Sequence, residues 1–374
     1  MKKSTNLSKI SKSFQVKTKI LAALLAANVF TALLLPMHEF GYRTKVGIQA
    51  GWAIDNEGNV LITDEVADRM AATNADWVRV NFRLGPYDSD NGEFYTRYDE
   101  IVDRLRNRGL EVIGLASNES WPGTQEQWVE NNNEFSGGDG HNAYIDEFGY
   151  AAARMAGHYE GKIKYWEIWN EPNSWNEQSD DGQFHGGTFI YPSNFAAMLT
   201  HVHSQVHHYS QMDVQIISGG VLGHDLGGYN SHEAGADYLD QTYEAGIYKT
   251  GKFAWAMGTY GMYPLDGIGQ HVYIDQSGWL NGNYFSDYLN YVHNVVKKWE
   301  GEDTQKETYL TEFGWDTTQV DEYTQSINLQ TAFDAIKETE FVKVANWFQL
   351  DDSPPGLHFG LYGADGYQKQ SLGA

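Results

Sequence analysis

The sequence contains no cysteine among its 374 residues. Disulfides, thiolate metal sites and a cysteine nucleophile are therefore excluded, and stability has to come from a packed core. Cationic residues are scarce as well: 26 Lys and Arg stand against 50 Asp and Glu, a formal charge of −24. Six lysines (Lys2, Lys3, Lys9, Lys12, Lys17, Lys19) fall within the first 36 positions, where there is no acidic residue, so the remainder stands six charges lower, at −30. Such a surface repels phosphate backbones and anionic lipid, so nucleic acid and membrane surfaces are poor partners for it and a neutral ligand fits better. No Ser/Pro-rich linker interrupts the chain beyond Lys45, which favours one large domain over two small ones.

Apolar and aromatic material is plentiful. Aromatic residues make up 14% of the chain, with 12 Trp and 24 Tyr, and only 20% of residues are charged, which is the composition of a chain that folds. The N-terminus has its own character: a basic stretch from Lys2 to Lys19 runs into an apolar segment from Ile20 to Leu35, broken only by Asn28 and Thr31. That pattern is expected for an export signal, with an uncleaved membrane anchor as the alternative. Residues 1–36 are accordingly set apart from a catalytic domain at 37–374, and an extracellular location is expected.

From Lys45 onward, β-rich runs alternate with helical patterns. The strand candidates are Lys45–Gln49, Asp76–Phe82, Glu111–Ala116, Lys162–Trp169, Asp213–Ser218, Gly267–Tyr273, Glu307–Thr311 and Val342–Leu350. The helical patterns are Thr63–Thr73, Tyr98–Arg108, Asn142–His158, Ser193–Tyr209, Ala236–Ala245, Tyr284–Trp299 and Thr324–Thr339, several of them opening on Asp, Ser, Thr or Asn. Alternation of this kind implies parallel pairing, and eight such units over about 250 to 300 residues is the size of an α/β (β/α)8 TIM barrel. A doubly wound open sheet is the competing architecture. The eighth helix is expected to be incomplete, because Asp351–Gly366 reads as loop and only Tyr367–Ala374 remains. Insertions at Trp175–Tyr191, Gly223–Gly235 and Tyr273–Asn283, with the stretch Lys249–Pro264, are expected to wall a cleft.

In such a barrel the functional groups project from the C-terminal ends of the strands. The fourth strand reads Tyr165-Trp166-Glu167-Ile168-Trp169-Asn170-Glu171-Pro172, and Pro172, which cannot donate to a ladder, should leave Asn170 and Glu171 at the rim. The seventh reads Tyr309-Leu310-Thr311-Glu312-Phe313-Gly314-Trp315 and places Glu312 at the same rim. Two rim carboxylic acids are what glycosidic cleavage requires: one protonates the leaving oxygen, the other attacks the anomeric carbon or activates water. A gap of about 5 to 5.5 Å selects the covalent, retaining route. Any single Glu is by default a solvated charge; the pairing is what argues for catalysis. Glu167, deeper on the same strand, reads as a buried structural partner.

The segments Trp-Asn-Glu-Pro at 169–172 and Thr-Glu-Phe-Gly-Trp at 311–315 resemble the acid/base and nucleophile motifs of the clan A glycoside hydrolases, among them families 39, 5, 10 and 30. The wording is most similar to family 39 and family 5-type retaining β-glycosidases, and the resemblance extends from Lys45 to Tyr362. It implies Glu171 as acid/base and Glu312 as nucleophile, with no cofactor. It further implies that Arg79 supports the nucleophile, that His271 and Tyr273 form the sixth-strand pair whose tyrosine donates to the nucleophile, that Trp347 floors the sugar, and that Asn170 bonds the sugar 2-hydroxyl. The chain departs from the family 5 pattern after the third strand, where it has Ala116-Ser117-Asn118-Glu119 in place of a histidine.

Trp52, Trp121, Trp175 and Trp315 fit either a core or a sugar-stacking platform, and their places beside rim loops favour sugar contact. His203 and His207 stand four apart on a helical pattern, but Ser204-Gln205-Val206 between them lacks the glutamate of a zinc protease motif, so a solvated helix face is expected and no metal. Gly219-Gly220-Val221-Leu222-Gly223 lacks the helix start of a nucleotide loop. Asp180-Asp181 and Asp351-Asp352 are pairs of a kind that can bind calcium, although scattered loop acids usually do not. The reading reached is a monomeric retaining hydrolase acting on a β-linked oligo- or polysaccharide, endo-acting if loop composition is a guide. An exo β-glycosidase of xylosidase type and a non-catalytic carbohydrate-binding barrel are the alternatives.

Overall fold

The computed structural model describes residues 44–83, 92–130, 142–174, 187–209, 211–223, 235–353 and 356–373. The expected export segment, Trp175, Asp180-Asp181 and most of the insertions at 175–191 and 223–235 lie outside the described residues. Among the described residues no helix is long and apolar enough to cross a membrane.

Eight parallel strands close into a barrel: β1 Lys45–Gln49, β2 Trp77–Phe82, β3 Glu111–Ala116, β4 Tyr165–Ile168, β5 Gln215–Ser218, β6 Gly267–Val272, β7 Glu307–Phe313 and β8 Val342–Trp347. Each pairs with its neighbour in sequence, β1 pairs with β8, and β5 meets β6 both at Ile217–Gly267 and through a short extension, Val221–Leu222. The open-sheet alternative is thereby excluded. Hydrophobic runs explain the strands, which are buried over nearly their whole length.

The helices begin where capping side chains satisfy free backbone N–H groups. Thr63 caps Asp64–Ala72, Asn142 caps Ala143–His158 and Asp321 caps Glu322–Lys337, each side chain accepting from an N–H three residues on. Two helical expectations change. The pattern Ser193–Tyr209 is an α-helix only over Pro192–His203 and widens into a π-turn at Ser204–Tyr209, a run of residues with weak α propensity. Lys249–Pro264 does not wall the cleft: Lys252–Tyr260 is a helix bracketed by Gly251 and Gly261, both at positive φ, and it buries Phe253 and Ala256. It leads into the N-terminal end of β6, the end opposite the rim.

Inward-facing Trp77, Ile113, Ile217, Tyr309 and Val344, with Tyr165 against them, form an apolar plug within the first halves of the strands. Two residues further along, β2, β4 and β7 turn Arg79, Glu167 and Thr311 into the same interior, so a polar layer lies on the plug.

After β8 the described residues hold no α-helix, and the last of them form a 3-10 turn, Gln370–Gly373. The preceding segment folds on itself through the bridges Asp351–Tyr362, Ser353–Leu357 and Tyr362–Gln368. Lys369 is its anchor: its buried ammonium bonds Asp352 Oδ1 at 2.7 Å, Thr317 Oγ1 at 3.0 Å and the His358 carbonyl at 3.1 Å. Asp351 pairs with Arg69. Both members of this acidic pair are therefore engaged by cationic side chains rather than offered to calcium.

Replacing Lys369 by Met strands Asp352 as a buried charge, and stability measured by urea denaturation should fall by about 3–5 kcal/mol. The double variant Lys369→Met/Asp352→Asn should recover part of that loss; no recovery would show that the lysine acts by packing alone.

Candidate active site

The site grows out of β2. Arg79, in the middle of that strand, is fully buried and its guanidinium spends itself on four side chains. Nε donates to Glu167 Oε2 at 2.5 Å, Nη1 to Glu312 Oε1 at 2.5 Å and to Gln49 Oε1 at 3.3 Å, and Nη2 to Asn170 Oδ1 at 2.9 Å. Burial works against the charge on the guanidinium, but the carboxylates of Glu167 and Glu312 outweigh it and raise its proton affinity above the ordinary arginine value.

Glu167 is fully buried and fully bonded, accepting also from Gly220 N–H and Thr311 Oγ1, each at 2.9 Å. It has no free face for substrate. Glu312 stands at the open end of β7, its Oε1 held by Arg79 and its Oε2 by the Tyr273 hydroxyl at 2.8 Å. Burial would raise its pKa, yet the charges of His271 and Arg79 and the hydrogen bonds from Tyr273 and Arg79 hold it below the usual carboxylate value. Tyr273, buried beside that charge, is pushed well above the ordinary phenol value and stays a donor.

Consecutive Thr311 and Glu312 both reach the interior because of a register shift. Gln270 pairs with Leu310, but the next pair is His271 with Glu312, which leaves Thr311 as an extra residue. Such a bulge turns neighbouring side chains onto one face. Across from it, β4 ends at Ile168 and the chain turns sharply: Trp169 has φ 76° and Glu171 has φ 46°, both in the left-handed region that side chains rarely adopt. The turn is pinned by Trp169 N–H to the Ala116 carbonyl at 2.7 Å, and by Ser174 N–H and Thr188 Oγ1 donating to the Glu171 carbonyl, each at 2.9 Å.

The Glu171 side chain, about one fifth exposed, is thereby aimed back across the barrel. One of its oxygens lies within 4.8 Å of an oxygen of Glu312, with His271 between them. His271 Nδ1 is 3.0 Å from Glu171 Oε1 and 3.7 Å from Glu312 Oε2. Burial alone would lower this imidazole's pKa; Glu312 and Glu171 together raise it. Gly220 makes room for the ring, since a β-carbon there would lie 2.2 Å from His271 Cδ2.

The tryptophans divide. Trp52 is half exposed, lies under the Arg83 guanidinium at 4.1 Å and lines the cleft that opens over Glu312. Trp315 and Trp347, expected to meet sugar, are core residues: both are buried, they pack on one another, and their indole N–H groups donate to the carbonyls of Ile274 and Phe359. The side chain after Trp347 takes the inner face instead, so Phe348 lines the cleft. Trp121 is half-buried against the core and is not among the cleft-lining residues. His271, expected to touch substrate, is fully buried and touches the two carboxylates.

Sequence reasoning also passed over one wall of the cleft. Asn81 Nδ2 donates to Glu119 Oε2 at 2.5 Å, and Glu119 Oε1 meets Arg83 Nε at 3.2 Å. The position of Asn81 and Glu119 after the inward residues of β2 and β3 was the available signal. His203, expected to be solvated, is fully buried.

Tyr273→Phe removes a donor from the charged form of Glu312, so its pKa should rise and the low-pH limb of the kcat/KM profile should move to higher pH. A fall in kcat on the order of a hundredfold should accompany it. An unmoved limb would show that His271 and Arg79 set the ionisation of Glu312 without Tyr273.

No protein-family model matches the sequence, and no curated protein matches it. Solved structures do. A family 39 glycoside hydrolase from the gut symbiont Bacteroides cellulosilyticus WH2 superposes with TM-score 0.55 at 14% identity, over 89% of this chain and 62% of its own. An endo-β-1,4-glucanase from Xanthomonas axonopodis pv. citri gives 0.56 at 14% identity, over 88% of this chain and 96% of its own. GH5_18 from Streptomyces cattleya, in complex with Manβ1-4GlcNAc, gives 0.55 at 14% identity, over 88% of this chain and 78% of its own. The chain thus spans about three fifths of the family 39 structure and nearly all of the glucanase. At these identities the likeness is one of fold, the closed (β/α)8 barrel that these structures share.

Proposed function

We propose that the protein is a retaining glycoside hydrolase that cleaves β-glycosidic bonds by double displacement, with Glu312 as nucleophile and Glu171 as acid/base. The observation that carries this reading is the approach of the two carboxylates to within 4.8 Å from the ends of β4 and β7. An approach this close falls on the side of direct attack, short of the separation of about 6.5–9.5 Å typical of inverting enzymes.

The environments of the two acids differ in the way their tasks require. Glu312, held ionised by Arg79 and Tyr273, attacks the anomeric carbon while the bond to the leaving oxygen breaks. Glu171, hydrogen-bonded to His271 and the more exposed of the two, delivers a proton to the leaving oxygen. In the second step Glu171 takes a proton from water, whose oxygen attacks the glycosyl ester and releases Glu312. Asn170, oriented by Arg79, supports the same reading as a partner for the sugar 2-hydroxyl.

Among the described residues the cleft is lined by Trp52, Phe348, Asn81, Asn118 and Glu119, aromatic and polar side chains that suit a polysaccharide bound at the rim and cleaved internally. Three neighbours in fold are endo-acting on β-1,4 chains by their descriptions, which lends the endo mode support. The basic and apolar composition of residues 1–36 supports an extracellular site of action.

The test is turnover of β-linked polysaccharides and aryl glycosides, with product anomers followed by NMR. Retention, and mixed oligosaccharides from internal cleavage, are expected; an inverted product would overturn the mechanism, and release of single terminal units would make the enzyme exo-acting. Glu171→Gln should lose activity by on the order of a thousandfold on poor leaving groups and far less on activated aryl glycosides. Equal losses on both would remove Glu171 from the acid role, and glycan binding without any turnover would make the barrel a binding protein.

A further inference from the structure

A second cluster of ligating side chains lies at the opposite end of the barrel. His203 ends the helix Pro192–His203, His207 follows in the π-turn Ser204–Tyr209, and Asp266 immediately precedes β6. One ligating atom from each lies within 4.8 Å of the other two. His207 Nε2 is 3.5 Å from Asp266 Oδ2, close to the separation of about 3.3 Å between neighbouring ligands in a tetrahedral zinc site with bonds near 2.0–2.1 Å.

His203 is the telling residue. It is fully buried, and neither of its ring nitrogens has a hydrogen-bond partner. An imidazole carries one donor and one acceptor, and burying both without partners costs free energy that a protein seldom leaves uncompensated. Tyr260 and His207 pack beside the ring, with centroids at 5.3 Å and 4.3 Å, and Asp266 supplies the charge. Asp266 is itself fixed, accepting from the Ile216 N–H at 2.7 Å. The nearest cation, Lys306, is already bonded to Glu300 at 2.5 Å and to the Leu265 carbonyl at 2.7 Å, so it does not take up Asp266.

We propose that His203, His207 and Asp266 bind one borderline first-row divalent cation of the zinc type, with water completing the tetrahedron on the partly exposed side. Two imidazoles and one carboxylate disfavour calcium and magnesium, which prefer all-oxygen shells. The π-turn brings the two histidines onto one side of the helix, and widened turns of this kind recur at functional sites. Along β6 the site is about 16 Å from His271, given the rise per residue of a strand. The ion would tie the end of one barrel helix to the start of β6 and take no part in the reaction at the rim. This inference stands independently of the proposed hydrolase activity.

The experiment is zinc titration of the metal-free protein by calorimetry, with cobalt substitution and X-ray absorption on the zinc-loaded protein. The parent should bind one equivalent of Zn2+ and gain roughly 3–6 °C in Tm at saturating metal. His207→Gln should weaken that binding about a hundredfold or more while leaving turnover unchanged. Because Glu171, His271 and Glu312 form another ligating cluster, Glu171→Gln is titrated alongside. Absorption fine structure with two imidazole nitrogens supports the distal site even if His207→Gln does not fold. The proposal is overturned if the parent binds neither Zn2+ nor Co2+, if His207→Gln binds zinc as the parent does, or if zinc is lost only in Glu171→Gln or shows a single imidazole.

Discussion

One buried cation organises the interior of this barrel. Arg79 cannot be left unpaired without a large desolvation cost, and the chain supplies partners from β1, β4 and β7. The arrangement does more than satisfy the arginine. Because Arg79 is shared with Glu167, the charge on Glu312 is oriented by the guanidinium without claiming it whole. That balance suits an ionised nucleophile facing a sugar that becomes cationic in the transition state. Each oxygen of Glu312 is bonded by a different donor, Arg79 on one and Tyr273 on the other, so the carboxylate has a fixed plane as well as a fixed charge.

Holding that network together demands irregular backbone, and it occurs where the demand is made. The extra residue in β7 lets Thr311 serve Glu167 while Glu312 serves Arg79. The pair of glycines after β5 serves Glu167 and His271 at once, by an N–H from Gly220 and by the absence of a β-carbon there. The left-handed residues after β4 re-aim Glu171 after the strand has delivered Glu167. Continued as a regular strand, the chain would carry Glu171 four residues, about 13 Å, beyond Glu167, and the two could not both approach His271 as they do.

The parts legible in the sequence were those with strong local punctuation. Alternating β-rich and helical patterns showed eight units, and Pro172 and Gly314 marked the ends of the two strands whose acids face one another. Less legible was the face each aromatic residue takes. A shift of one residue sends a strand side chain to the opposite face, so Trp347 packs outward on Phe313 and Trp315 while its neighbour Phe348 faces the cleft. His203 was illegible for a different reason. Spacing of four identifies a common helix face but not whether that face is solvated, and it gives no hint of Asp266, which arrives from another βα unit.

The apolar plug explains how the two ends of the barrel can carry different chemistry. Trp77, Ile113, Ile217, Tyr309 and Val344 close the interior below Arg79, so the polar layer meets solvent only at the rim. Excluding water from below lowers the local dielectric and strengthens every contact that Arg79 makes. The same plug holds the rim about 16 Å from the far end, where His203, His207, Asp266 and Lys306 gather. Stability and chemistry can then be adjusted separately, the first at the N-terminal ends of the strands and the second at their C-terminal ends.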